Sequence, residues 1–205
     1  VASLVGSEMC IRDSLYICGY TNGYSPGPSG NYADMYIAKY NSSGVIQWQR
    51  TLGSGESGPG NEYGNGITTD SSGNVYITGI QGYSSSAGQN YELLVVKYNP
   101  SGDLLWSRRL VGSTSGGAHD GKCSHLKGFS VTIIPPNASA GNYERVAVFG
   151  EAVVYKGSTN GNDHLIAVFR ASTGDFEYCY GIGGRYSSSN SVSYTHLRAH
   201  ETGYN

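Results

Sequence analysis

Charge is scarce in this chain: only 14% of its 205 residues are Asp, Glu, Lys or Arg, and the formal net charge is −2. A surface without a basic excess carries no electrostatic footprint for nucleic acid or acidic lipid. Long apolar runs are missing too. None approaches the roughly 20 residues that a membrane helix needs, so no membrane insertion is expected. The opening residues, with Glu8 among them, lack the apolar stretch of a signal peptide. Four cysteines without paired spacing make neither a disulfide framework nor a zinc ribbon. What is plentiful is Gly (31) and Tyr (18), with much Ser and Asn. That mixture suits short strands separated by turns and works against long helices, which draw on Ala, Leu, Glu and Lys.

The two ends read differently from the middle. Residues 4–13 are LVGSEMCIRD and residues 192–201 are VSYTHLRAHE. The DNA CTC GTG GGC TCG GAG ATG TGT ATA AGA GAC encodes the first, and its reverse complement encodes the second. That DNA resembles a transposase adapter used in sequencing libraries. Residues 1–14 and 191–205 are therefore expected to be translated adapter, and residues 15–190 the native segment. Processing scars are set aside before fold reasoning. His196, His200 and Glu201, which would otherwise suggest a metal-ligand face, are set aside with them, as is Cys10.

The middle repeats. IAKYNSSGVIQWQRTLGSG from Ile37 recurs as VVKYNPSGDLLWSRRLVGS from Val95, and a weaker copy, AVFRASTGDFEYCYGIGG, starts at Ala167. In each copy a glycine is followed four residues later by an aromatic: Gly44 and Trp48, Gly102 and Trp106, Gly174 and Tyr178. LYICG, VYITG and VAVFG, the second of them ending at Gly79, precede these units. Alternating β-branched and aromatic residues mark them as strands. Asp70-Ser-Ser-Gly73-Asn74 reads as a tight hairpin turn, with Gly73 free to take a positive φ and Asp70 able to cap the turn. Four strands per copy are expected, near 63–69, 74–79, 92–98 and 104–110 in the best copy and 128–134, 145–150, 164–170 and 176–180 in the next. The first copy lacks its opening strand. The fold expected is all-β: four-stranded antiparallel blades of an incomplete β-propeller. Trp48 and Trp106 are expected to pack blade against blade.

With DSSGNVYITG followed by VVKYNPSGDLLW, the chain resembles the SBBP β-propeller repeat, a family of secreted or surface propellers. The third copy departs from it: Pro135-Pro-Asn-Ala-Ser-Ala-Gly-Asn-Tyr143 replaces the tight turn, and Arg170 and Tyr178 stand where Tyr and Trp are usual. Closed propellers have four to eight blades, so the resemblance implies a longer natural protein whose remaining blades neighbour these. It also implies an extracellular or cell-surface location.

Chemistry is sparse. His119-Asp-Gly-Lys-Cys123-Ser-His125 has two His and one Cys but no fourth ligand, and is read as a solvated loop. Cys18 and Cys179 are read as small buried hydrophobes. No metal, cofactor or catalytic residue is expected. Loop length is more informative. The segments 20–33, 80–91 and 151–163, and the connections 53–62 and 112–122, are expected as long loops on one face. They are rich in Tyr, Ser, Gly and Asn, the mixture that paratopes use. Tyr20, Tyr24, Tyr32, Tyr83 and Tyr91 are the expected contacts for a glycan or surface protein. The leading reading is a non-catalytic binding module. The alternatives are a structural spacer in a large adhesin or virion surface protein, and an enzyme of the quinone-cofactor propeller type. The last would need a cofactor-stacking platform, metal-ligating carboxylates and often adjacent cysteines, none of which the sequence displays.

Overall fold

The computed structural model describes residues 14–22, 33–53, 60–85, 88–112, 120–138, 141–156, 159–182 and 198–201. Among them the chain is all-β, with twelve strands in three antiparallel sheets. The first sheet is β1 (Ser14–Asn22), β2 (Ala33–Asn41) and β3 (Ile46–Leu52), side by side in chain order. The second follows β4 (Gly60–Thr69), β5 (Val75–Ser85), β6 (Gly88–Tyr98) and β7 (Leu104–Val111). The third follows β8 (Asp120–Ile134), β9 (Arg145–Lys156), β10 (Thr159–Arg170) and β11 (Phe176–Ile182). A four-residue strand, β12 (Arg198–Glu201), pairs with the free edge of β7, from Arg198 opposite Val111 to Glu201 opposite Arg108. Residues read from the sequence as adapter thus supply one short ladder at a sheet edge.

Three turns share one construction. In the turn at Asp70, the carboxylate Oδ1 accepts the backbone N–H of Ser72 (3.0 Å) and of Asn74 (2.9 Å), and Gly73 has φ +79°. Asn41 and Asn99 do the same with their side-chain amides in the turns that carry Gly44 and Gly102. A side-chain oxygen that substitutes for a ladder partner makes such Asx turns tight, and glycine takes the left-handed position without steric cost.

The pleat divides each strand between two cores. Tyr16, Cys18, Met35, Ile37 and Leu52 of the first sheet pack with Ile67, Val75, Ile77, Leu94, Val96 and Tyr98 of the second. The opposite face of the second sheet, with Tyr76, Leu93, Val95, Trp106 and Leu110, packs with Val131, Val146, Val148, Leu165, Ala167 and Phe169 of the third. The near-continuous apolar runs Val75-Tyr-Ile77 and Leu93-Leu-Val-Val96 follow from this, because a middle sheet is buried on both faces. Each fully buried Val, Leu or Ile contributes roughly 1.5–3 kcal/mol, and these residues are spread evenly over the two seams.

Three local expectations are corrected. The segments 80–91 and 151–163 are not long loops: β5 and β6 stay paired out to Ser85 opposite Gly88, and β9 and β10 out to Lys156 opposite Thr159. Tyr and Thr favour a pleated ladder, and β4, reaching Tyr83 from Gly60, extends the sheet to the same length. Likewise the segment read as a loop around His125 is strand from Asp120 onward, carrying bulges after Asp120, Ser124 and Gly128. In the third sheet, counting back from Gly174 puts Arg170 at the position of Tyr98, but the ladder shifts this by one. Phe169 pairs with Phe176 as Tyr98 pairs with Leu104, and Arg170 N–H donates to Asp175 as Asn99 N–H does to Asp103. The turn is one residue longer, so the buried Phe169 takes the tyrosine place.

Candidate functional site

Two arrangements of side chains stand out, one at each end of the strands. At the tight-turn end, the first sheet clamps the turn of the second and the second sheet that of the third. Lys39 Nζ and Trp48 Nε1 both donate to the carbonyl of Pro100, at 3.1 and 3.0 Å, and Arg50 Nε donates to that of Gly102 at 2.8 Å. One seam further on, Lys97 Nζ and Trp106 Nε1 donate to Ala171 at 2.9 and 3.2 Å, and Arg108 Nη2 to Thr173 at 2.7 Å. Each lysine lies over a tyrosine ring on its own sheet, Lys39 over Tyr16 and Lys97 over Tyr76. The indole needs the glycine beneath it: a methyl on Gly102 would stand 2.7 Å from Trp48 Cδ2, and one on Gly174 2.8 Å from Trp106 Cδ2. Gly79 has the same kind of role inside the sheet, where a side chain would run into the Tyr63 carbonyl.

Asp70 anchors the second clamp. Its other oxygen, Oδ2, accepts Asn74 Nδ2 at 2.8 Å and the Tyr76 hydroxyl at 2.9 Å, and Lys97 Nζ lies 3.9 Å away. Burial lowers the Lys97 pKa, with Asp70 and Glu144 pulling the other way. The Tyr76 pKa is pushed well above its usual value by burial, and further by the Asp70 carboxylate that accepts a hydrogen bond from its hydroxyl. Trp48, Asp70, Gly73, Asn74, Gly102, Trp106 and Gly174 thus take part in the turns and the contacts between sheets. Tyr178 occupies the row of Trp106 but stays exposed, so the clamp is not repeated there.

Aromatic rings gather at the far end, away from the tight turns. Tyr20 of β1 meets Tyr63 of β4 edge to face, with centroids 4.9 Å apart and planes at 80°. Tyr91 of β6 meets His125 of β8 at 5.5 Å, and Lys127 Nζ lies 5.4 Å from the Tyr91 centroid while pairing with Glu151 at 2.7 Å. Burial raises the Tyr63 pKa, as do the neighbouring Tyr20 and Tyr91 hydroxyls and the Glu62 carboxylate, so these groups share one neighbourhood. His125 is a non-glycine residue in the left-handed region (φ +56°), at the bulge between Ser124 and Leu126. Such backbone strain concentrates at sites of function. Burial, and then Lys127, lowers its pKa, which favours the neutral ring.

Of the tyrosines named from the sequence, Tyr20 and Tyr91 are in this cluster, on strands rather than loops. Tyr83 is in β5, paired with Asn90, with its side chain outside the described part. Tyr24 and Tyr32 lie outside the described residues. Sequence reasoning missed Tyr63 and Lys127, which stand in segments read as plain strand or unremarked, and it set His125 aside with the loop. The signal was the off-pattern sequence Cys-Ser-His-Leu-Lys at a strand entry. Among the described residues no three His, Cys, Asp or Glu side chains gather as a metal site. Cys18 is buried, which pushes its thiol up to about 12.

Residues 47–79 match the SBBP β-propeller repeat. The chain carries a β-propeller repeat, and its sheets are blades. The matched SBBP unit starts within β3 and ends in β5, so it straddles two blades. It takes in Trp48 and Arg50, which reach forward from one blade, and the Asp70 turn of the next. The chain is also similar to an uncharacterized WD repeat-containing protein, L264, of Acanthamoeba polyphaga mimivirus, with 30% identity over 95 residues. That alignment covers 40% of this chain and 7% of the relative, so the chain spans only a small part of the curated protein it matches.

Proposed function

We propose that this propeller segment belongs to a non-catalytic extracellular or cell-surface protein that binds a glycan or a surface protein with the strand ends opposite the tight turns. The observation that carries the reading is the aromatic cluster of Tyr20, Tyr63, Tyr91 and His125, drawn from four strands of three blades. Tyrosine offers a large ring face with only two torsions to immobilise, and a hydroxyl for sugar or backbone partners. An ionic pair beside the rings, Lys127–Glu151, supplies fixed hydrogen-bonding partners. At the opposite end the polar groups are already engaged in joining blade to blade, which favours recognition at this one. Tyr24, Tyr32 and Tyr83 belong to the same proposal. The extracellular location rests on the likeness to the SBBP repeat.

A glycan array probed with the chain, and with a variant carrying Tyr20, Tyr63 and Tyr91→Ser, tests this. Binding lost in the variant while the melting temperature holds supports the proposal. An array on which the folded chain binds nothing would favour the structural-spacer reading.

A further inference from the structure

Two bulge residues cross the seam between the second and third blades, in opposite directions. Asn65, the extra residue of the bulge in β4, donates through Nδ2 to Gly128 O of β8 at 2.8 Å. His125, the extra residue of a bulge in β8, turns back to Tyr91 of β6, with ring centroids 5.5 Å apart and planes at 54°. A bulge re-aims a side chain that the ladder would otherwise hold. At His125 it does so with a non-glycine residue at φ +56°, a conformation that L-residues seldom take.

The Tyr91 ring depends on that contact. Its cross-strand partner on β5 is Gly82, where a methyl would stand 3.3 Å from Tyr91 Cδ1 and Cε1, so no side chain pins the ring at that position. The third blade supplies two contacts, His125 and the Lys127 ammonium, which lies 5.4 Å from the ring centroid. His125 and Lys127 thus share one ring, and a proton on His125 would make both of them cations.

The ionisable groups around His125 do not offset such a proton. Lys127, on the same strand, is paired with Glu151 of β9 at 2.7 Å, so that carboxylate is already engaged. On β6, Glu92 points to the face opposite Tyr91 and pairs with Arg109 of β7. On β4, Tyr63 lies within electrostatic reach of Tyr91, with Glu62 beside it in sequence. His164 of β10, opposite Glu151 in the ladder, is exposed. Burial and then Lys127 lower the His125 pKa from 6.5. The neutral ring's contribution is therefore complete above 6.5 and is lost as pH falls through the lowered value.

We propose that His125 is a pH gate on the aromatic cluster: neutral, it holds Tyr91 in place, and protonated, it lets Tyr91 go, so that a bound glycan is released in mild acid. The release rests on the reading of the cluster as a glycan site. His125 acts here as a positioning residue, through Tyr91.

The test begins on the chain without ligand. In a proton NMR titration from about pH 8 to about pH 5, His125 should titrate below 6.5. The Tyr91 ring signals should move with the same midpoint, and cross-relaxation between the two rings should fade with them. His125→Phe keeps a ring but binds no proton. Its spectrum identifies the His125 signal by its loss, and its Tyr91 signals should stay put over this range. On a glycan array, the signal of the intact chain should fall several-fold between about pH 7.5 and about pH 5, a range in which most carboxylates stay ionised. Whatever level His125→Phe reaches at neutral pH, it should show no such fall. Tyr91 signals that do not follow His125, a His125 midpoint at or above 6.5, or an equal fall in both proteins would overturn the gate. A folded chain that binds no glycan at either pH overturns the glycan reading and the release with it, while the ring titration still decides whether His125 moves Tyr91.

Discussion

Trp106 and Ala171, 65 residues apart in sequence, are joined by a 3.2 Å hydrogen bond from the indole N–H to the backbone carbonyl. That carbonyl also accepts Lys97 Nζ at 2.9 Å, and the Tyr76 hydroxyl lies at 3.4 Å, so one buried oxygen of the third blade faces three donors of the second. The partners are neutral backbone and buried side chains, shielded from solvent, and neither indole nor ammonium could find water in their place. Replacing Trp106 by Ala removes a large buried aromatic and one of the donors to the Ala171 carbonyl. The expected cost is about 3–5 kcal/mol. Trp48→Ala should cost less, because Trp48 is only partly buried. Denaturant unfolding of the two variants gives the comparison, and equal losses would count against it.

The turn glycines separate backbone strain from packing. Gly44→Ala should show only the penalty of a left-handed L-residue, about 1 kcal/mol. Gly102→Ala and Gly174→Ala incur that penalty and also force the indole away, adding roughly 1–3 kcal/mol of overpacking. Melting temperatures should therefore fall further for the latter pair than for Gly44→Ala. If all three variants shift alike, the indole does not lie on the glycine.

Asp70 and Asn99 form the same turn with different consequences. Asp70 is buried and serves two backbone N–H groups, Asn74 and Tyr76; Asn99 is more exposed and serves two N–H groups and Asp103. Asp70→Ala leaves the Tyr76 hydroxyl and Lys97 without their carboxylate, at a cost of about 3 kcal/mol. Asn99→Ala, where water can replace the amide, should lose about 1 kcal/mol. Urea midpoints for the two variants test the ordering.

Much of this was legible from the sequence, and the misses have a common origin. Strand existence, turn chemistry and the seam role of the tryptophans followed from Gly-to-aromatic spacing and Asx-turn residues, because those depend on neighbours a few positions away. Strand length was not legible. Residues 80–91 look like loop because Gln81, Gly82 and Ser84 carry no alternation, yet β6 holds β5 in a ladder out to Ser85, and β4 flanks it as far as Tyr83. Phe169 was misplaced because a one-residue longer turn cannot be told from a substitution when only the glycine anchors the alignment. The aromatic cluster was half legible. Tyr20 and Tyr91 stood out, but their partners Tyr63 and His125 arrive through sheet packing that no local pattern encodes.

Alkaline pH should destabilise the fold. Burial raises the pKa of Cys18 and Tyr98, each to about 12, and raises that of Tyr76 further, so all three keep their protons when folded. In the unfolded chain they ionise near their ordinary values of 9.0 for the thiol and 10.0 for the phenols. The unfolded state then binds fewer protons, and stability falls as pH rises past those values, by at most about 1.4 kcal/mol per pH unit for each group. Lys97 opposes this: its lowered pKa means that the folded state releases a proton before the unfolded one does, so its contribution rises with pH below 10.5. Three groups against one leave a net loss once the phenols also ionise in the unfolded chain, above about pH 10. Cys18→Ala or Tyr98→Phe should flatten the decline, and a pH series of denaturation midpoints reads it directly.

The central claim is that consecutive blades are joined by an indole lying on the turn glycine of the next, and the α-protons of those glycines report on it. A proton lying over an aromatic ring is moved upfield by the ring current. In the proton NMR spectrum of the folded chain, one α-proton each of Gly102 and Gly174 should be shifted upfield and show cross-relaxation to the ring protons of Trp48 and Trp106 respectively. Gly44, with the same backbone conformation and no ring above it, should have ordinary shifts. Unshifted α-protons at Gly102 and Gly174, without cross-relaxation to either indole, would contradict the blade-to-blade clamp and the stacking built on it.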